Sequence, residues 1–277
     1  VNYGPDPWLQ TSWDWRAAAN FMAGGAGCGL LLAASVAGGP RWLYAAGAAL
    51  VCAGLLAVLA KIGRPWRALN VFAHPGRSWM SREALVAPPL LVAALAASFG
   101  VSGAAPLAGA LALGFVYCQG RILQAARGIP AWRSPVTTPL IVAIALAEGV
   151  ALWLLLSGRS AGLGVWAGFA LALAASIMLH QLWRNSLGAA PRARVAAERA
   201  GRPVVAALLF SLAAVVPVVL APLPEDIGFA LQWLAGAVAL AGGAWLKFTL
   251  VTRTGFNQGY ALAHVPVRGA GREGSAR

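Results

Sequence analysis

ALVAPPLLVAALAASFGVSGAAPLAGALALGFVYCQG, residues 84–120, contains no charged side chain. One helix crosses the ~30 Å hydrocarbon core of a bilayer with about 20 residues, so this stretch is too long for a single crossing. Gly100, Gly103 and Pro106 stand near its middle, where glycine and proline mark turns, and the stretch reads as two spans joined by a hairpin. Working outward, uncharged apolar runs of similar length recur at 17–39, 42–60, 84–100, 104–123, 137–157, 161–183, 203–221 and 228–250. The expected fold is all-α, a polytopic bundle of about eight transmembrane helices. Residues 1–260 form a single bundle with an amphipathic N-terminal segment, and 261–277 form a polar, basic C-terminal tail.

Composition supports this reading. Of the 277 residues, 60% are hydrophobic and 10% charged, against about 45–50% and 25% in soluble domains. So few charges cannot cover a compact body in water, and most of the surface must face lipid or another protein. The polar opening from Tyr3 to Trp15, rich in Pro and Trp, lacks the basic start and short apolar core of a signal peptide. Cys28, Cys52 and Cys118 lie inside apolar stretches without a CxxC pair, so neither a disulfide framework nor iron–sulfur ligation is expected.

The charge is lopsided, with 21 Lys and Arg against 8 Asp and Glu. Eight spans put both ends of the chain on one face, together with loops 61–83, 124–136 and 184–202. Only Arg41 and Arg159 among the basic residues fall on the other face. The positive-inside rule then places the basic face and both termini in the cytoplasm. Basic residues in short loops between apolar runs set topology and face anionic lipid or a partner subunit, which argues against nucleic acid as the partner. Trp8, Trp13, Trp15, Trp66, Trp79, Trp132 and Trp183 fall on the same side, as an interfacial belt or as anchors for a docked partner.

The loop after the second span reads Lys61-Ile-Gly63-Arg-Pro65-Trp-Arg67-Ala-Leu-Asn70, followed by Ser78-Trp-Met-Ser81-Arg-Glu83 at the start of the third. A second group is Arg121…Ile129-Pro130-Ala-Trp132…Thr138-Pro139. Through these motifs the chain resembles the dimethyl sulfoxide reductase-type anchor subunits, within the polysulfide reductase and nitrite reductase membrane-subunit superfamily. The segments Tyr3-Gly-Pro-Asp-Pro-Trp8 and Lys247-Phe-Thr-Leu-Val-Thr-Arg253 are similar to the phenylacetyl-CoA:acceptor oxidoreductase membrane-subunit branch.

The resemblance implies a heme-free bundle in the bacterial inner membrane. Such a bundle passes electrons between a quinone pool, ubiquinone or menaquinone, and a four-cluster iron–sulfur subunit docked on the loop face, with a molybdopterin catalytic subunit beyond it. In the branch the electrons come from an organic substrate such as phenylacetyl-CoA. The family commonly has a histidine where Lys61 stands here. Lysine donates to a carbonyl oxygen but is no acceptor while charged, so the proton relay would differ.

A quinone headgroup needs donors for two carbonyl oxygens and a route for protons, built where an apolar tail enters from lipid. The residues expected to provide them are Lys61, Arg64, Ser81, Glu83, His180 and Lys247, with Gln119 and Arg121 close by, while Glu148 and Glu83 are expected on the proton path. Arg67, Trp79, Arg127, Trp132 and Arg133 are expected to dock the partner. Each has a plainer alternative. Lys61, Arg64 and Lys247 snorkel to phosphates, Ser81 and Glu83 cap a helix, and His180 is an interfacial histidine. Glu148 sits inside a span, where an ionised carboxylate is expensive, so it is either a protonated acid bonded to another helix or a proton station.

No metal site is expected. His74 is in a loop and His264 in the tail, so only His180 could reach a heme from a span. Met178 and His180 on one helix cannot take opposite faces of one iron. Neither iron–sulfur cluster nor molybdopterin is expected in this chain. A secondary transporter or channel is the alternative class, but it calls for paired repeats, broken helices and midplane polar groups. Of these the sequence offers only Glu148.

Overall fold

The structure, a computed structural model, describes residues 7–62, 65–188, 191–220 and 224–257. Among the described residues eight helices are long and apolar enough to cross a membrane, and the chain is a multi-pass membrane protein. They are α1 (Trp15–Ala37), α2 (Trp42–Leu59), α3 (Trp79–Ser98), α4 (Ala104–Gln124), α5 (Thr137–Leu156), α6 (Leu163–Asn185), α7 (Pro191–Leu220) and α8 (Glu225–Thr252). A 3₁₀ turn, Pro65–Ala73, lies between α2 and α3. Among the described residues the only β pairing is an isolated antiparallel bridge between Leu9 and Phe256.

Local chemistry sets the ends. Asp14 caps α1, accepting from the Arg16 amide at 3.0 Å, and Ser78 caps α3, accepting from the Ser81 amide at 3.4 Å. Each satisfies a backbone donor that the first helical turn leaves over. The charge-free stretch 84–120 is broken as expected. Gly100 and Gly103 take φ of 82° and 76°, a region glycine enters without steric cost, and turn α3 into α4.

α1 and α5 form the centre. In α1 78% of the most apolar window is buried and in α5 61%, against 28% in α6 and α7. α5 packs on α1, α4, α6 and α8, α2 packs on α1, and α3 packs on α2 and α4. α1 and α5 cross where Gly29 meets Gly149, and a Cβ on Gly29 would lie 2.8 Å from the Gly149 Cα. Membrane helices approach this closely only through small residues.

The first and last described segments lie side by side on the face that carries the Arg-rich loops, called the basic face below. Gln10 N donates to Gly255 O at 2.9 Å and Asn257 N to Trp8 O at 3.0 Å. The Trp13 ring sits 5.2 Å from that of Trp132, whose indole donates to Leu250 O at 2.7 Å. Tyr3 and the tail 261–277 lie outside the described residues.

A buried polar chain as the candidate functional site

Asn20 begins a single π turn, Asn20–Gly24, within α1. Such a widened turn exposes backbone oxygen to side-chain partners and is often found at functional sites. Here the Asn20 carbonyl accepts from Gln119 Nε2 of α4 at 3.0 Å, and Asn20 Nδ2 donates to Glu83 Oε1 of α3 at 3.2 Å. All three side chains are buried.

One turn further along α1, Gly25 leaves space for two polar atoms. A Cβ there would lie 3.3 Å from Gln119 Oε1 and closer still to Lys247 Nζ of α8. Lys247 has no exposed surface and donates to Glu148 Oε2 of α5 at 2.5 Å; Glu148 is 1% exposed. A Cβ on Gly243 would sit 2.6 Å from Glu148 Oε1, so the carboxylate lies against bare backbone of α8. Glycines on α1 and α8 thus make room for the charged pair.

The elements explain how the two charges meet. Cα–Cβ bonds tilt toward a helix N-terminus. α5 starts on the basic face, so Glu148 leans back toward it, while α8 starts on the opposite face, so Lys247 leans away from it. Glu148 is eleven residues into α5, about 16 Å from its basic-face end at 1.5 Å per residue. The pair therefore occupies the middle of the bundle, with Gln119, Asn20 and Glu83 leading back toward the basic face.

Along this chain Glu148 Oε1, Gln119 Oε1 and Asn20 Oδ1 are buried without a hydrogen-bond partner among the described residues. Buried polar atoms are nearly always satisfied, so these three acceptors are binding points for water. The arrangement can hold a proton on either carboxylate, and it offers the Lys247 ammonium acceptors besides Glu148.

The sequence-predicted residues divide. Ser81 and Glu83 on α3 are both buried. Lys61, just past α2, keeps 32% side-chain exposure and pairs with Asp14 at 3.8 Å. Lys247 belongs with Glu148 rather than at a helix end beside Lys61, because its side chain leans away from the basic face. His180 is 1% exposed on α6, with both ring nitrogens unpartnered among the described residues, and its ring faces Gly201 of α7. α6 and α7 flank the core on the side opposite α2 and α3, so His180 does not join the others.

Among the expected docking residues, Arg127 and Arg133 are exposed in the turn before α5, where Arg133 Nη1 donates to the Arg127 carbonyl at 3.4 Å. Trp79 is flanked by the guanidinium groups of Arg82 at 4.0 Å and Arg121 at 4.8 Å. Trp132 is a correction, since it is fully buried and ties the 131–134 turn to α8, with no side-chain surface to offer a partner. Arg64 and the Arg67 side chain lie outside the described residues. Asn20 escaped the sequence reading. The available signal was the same as for Glu148, a polar side chain inside an apolar span, but an amide costs less to bury than a charge and draws less attention.

Elsewhere, an apolar groove of about 610 Å³ opens between α1, α5 and α6 in the half away from the basic face. Its lining, including Leu32, Val36, Leu146 and Leu171, suits a hydrocarbon chain, and the one polar group there, the Trp153 indole N–H, already donates to Gly38 O.

No protein-family model matches the chain, and no curated protein matches its sequence.

Proposed function

We propose that this chain is the quinone-reactive, heme-free membrane subunit of a multisubunit oxidoreductase in the bacterial inner membrane, with an iron–sulfur subunit and a molybdopterin catalytic subunit on the cytoplasmic side. The observation that carries the reading is the buried chain of Glu83, Asn20, Gln119, Lys247 and Glu148. A quinone, when bound, supplies two-electron chemistry coupled to two protons, and a membrane subunit serving it needs protonatable groups away from bulk water. The residues fit that demand. Ser81 and Lys61 at the basic-face ends of α3 and α2 are donors for a headgroup, and Glu83, bonded to Asn20 in the same half of the bundle, holds or releases a proton. Arg127, Arg133 and the Arg82–Trp79–Arg121 stack give the same face the cationic and aromatic surface that protein interfaces favour. The resemblance to the phenylacetyl-CoA:acceptor branch supports an organic electron donor and electron flow into the quinone pool.

Purification of the tagged chain from its native membrane tests the assembly, and a cysteine-rich cluster protein and a large molybdopterin protein should copurify. Glu83→Gln should then abolish quinone-coupled turnover and preserve activity with a soluble artificial acceptor. A chain that purifies alone, or a Glu83→Gln complex with full quinone activity, overturns the reading. One observation favours a second reading, a proton-coupled transporter: the Glu148–Lys247 pair lies deep between helices, where transporters place coupling charges. Solute uptake by the isolated chain in proteoliposomes would select it.

A further inference from the structure

We infer that the Glu148–Lys247 pair is a proton-holding station in contact with the basic face alone, so that protons enter and leave it on the side of Glu83 and find no way through to the opposite face. Two independent sets of contacts lead there.

The first is the continuity on one side. Glu83 Oε1 accepts from Asn20, the Asn20 carbonyl accepts from Gln119, and Gln119 Oε1 and Lys247 Nζ flank the same glycine, Gly25. The two amides are not themselves acids. They fix donors and acceptors between which water carries the proton, and their unpartnered oxygens supply the binding points.

The second is the break on the other side. Beyond Gly243, α8 buries Ala239, Gly236 and Ala235 before the next polar side chain, Gln232. Opposite them α5 buries Ala151, Leu152 and Leu154, and α1 buries Leu30, Leu31 and Ala34. The eleven residues from Gly243 to Gln232 span about 16 Å, five or six hydrogen-bond lengths, and among the described residues the polar side chain bonded to this stretch, Ser211 of α7, has its hydroxyl engaged with the Ala207 and Ala235 carbonyls. Gln232 is fully engaged in closing that end, donating to Leu154 O and Arg159 O and accepting from Ala161 N. The Gly29–Gly149 contact brings two backbones together beside Glu148, and the groove that opens next to Gly29 is apolar.

The step is a simple protonation. Water on the basic face gives up a proton, an O–H bond forms on Glu148, and the ion pair becomes a carboxylic acid beside an ammonium. Lys247 then keeps an acceptor, because Gln119 Oε1 faces the same glycine. The titratable or charged groups around the pair are Cys28 on α1 and Glu83 on α3; α4 contributes the Gln119 amide and, nearer Glu83, the Cys118 thiol with Arg121 at the helix end, and α6 the more distant His180 and Arg184.

The test needs neither quinone nor partner subunits, so its outcome is independent of the electron-transfer reading. The full chain is reconstituted in vesicles of known orientation, and infrared difference spectra are recorded after a pH step on one side. A carboxyl band that Glu148→Gln removes should appear when the step is on the basic face. With the step on the other face it should appear only after an ionophore collapses the gradient. A response to the opposite face without ionophore overturns the inference, as does a Glu148 that never titrates while the chain stays folded. Gln119→Leu provides a check that leaves both charged residues in place. It should slow the basic-face response several-fold at unchanged thermal stability, and an unchanged rate also counts against the proposal.

Discussion

Desolvating a lysine completely costs several kcal/mol, and the charge survives only where a carboxylate faces it; Lys247 meets Glu148 at this cost. Removing one partner leaves the other charge buried alone, so Lys247→Met should destabilise the folded chain by about 3–5 kcal/mol. Lys247→Met with Glu148→Leu should recover most of that loss, and a double-mutant cycle by denaturation in detergent measures the difference. Glu148 was legible in the sequence because a carboxylate inside a span has few innocent explanations. For Lys247 the sequence leaves snorkelling open, because a lysine five residues from the end of α8 is within reach of phosphate. Its direction depends on which way α8 runs, and the helix sends it inward. At the surface, Asp14 gives a pH-dependent term. Partial burial raises its pKa, but the Arg16 amide and the Lys61 charge outweigh that and hold it below its ordinary value. A carboxylate with a depressed native pKa adds stability above its unfolded pKa and loses it as pH falls through the native one. The melting-temperature gap between the native chain and Asp14→Asn should therefore be present at neutral pH and close in acid.

Helices that read well from the sequence are those bounded by turn chemistry, as α3 and α4 are by Gly100 and Gly103. α7 reads poorly. Its apolar run begins near 203, but the helix starts at Pro191, because residues 191–202 are rich in Ala and Arg, which favour helix without membrane. The Arg194–Glu198 pair, 3.1 Å apart at i,i+4, adds to this. α3 likewise begins at Trp79 rather than 84, since hydropathy stops at Arg82 and Glu83 while the Ser78 cap does not. Helix contacts were not legible in the same way, because the closeness of α1 and α5 rests on two glycines 120 positions apart. A Cβ on Gly149 would run into the Gly29 backbone, which cannot swing aside as a side chain would. Gly149→Ala should cost about 1–3 kcal/mol, the usual price of overpacking a filled interior. Gly114→Ala on α4 is the control. Nothing lies within 4 Å of the added carbon, and stability should hold or rise by up to about 1 kcal/mol from the helical preference of alanine.

At the scale of the molecule, the eight crossings follow from charge-free length, a property that local sequence carries well because each span must satisfy its own backbone in lipid. The side on which the polar chain opens depends on long-range packing, which brings Asn20, Gln119 and Glu83 together from three helices. Orientation links the two levels, because a station that exchanges protons with the basic face draws on whichever compartment that face meets. The concentration of Arg in the basic-face loops predicts the cytoplasm. Two single-cysteine variants check it in a background where Cys28, Cys52 and Cys118 are replaced by alanine. His74→Cys is exposed before α3 on the basic face, and Ser160→Cys is exposed between α5 and α6 on the other. A membrane-impermeant maleimide should label the Ser160→Cys chain in intact cells and the His74→Cys chain only in inverted vesicles. The reverse pattern would turn the bundle over and put its proton exchange on the outer side, while labelling of both from one side would require an even number of crossings between them and is incompatible with the three spans α3, α4 and α5.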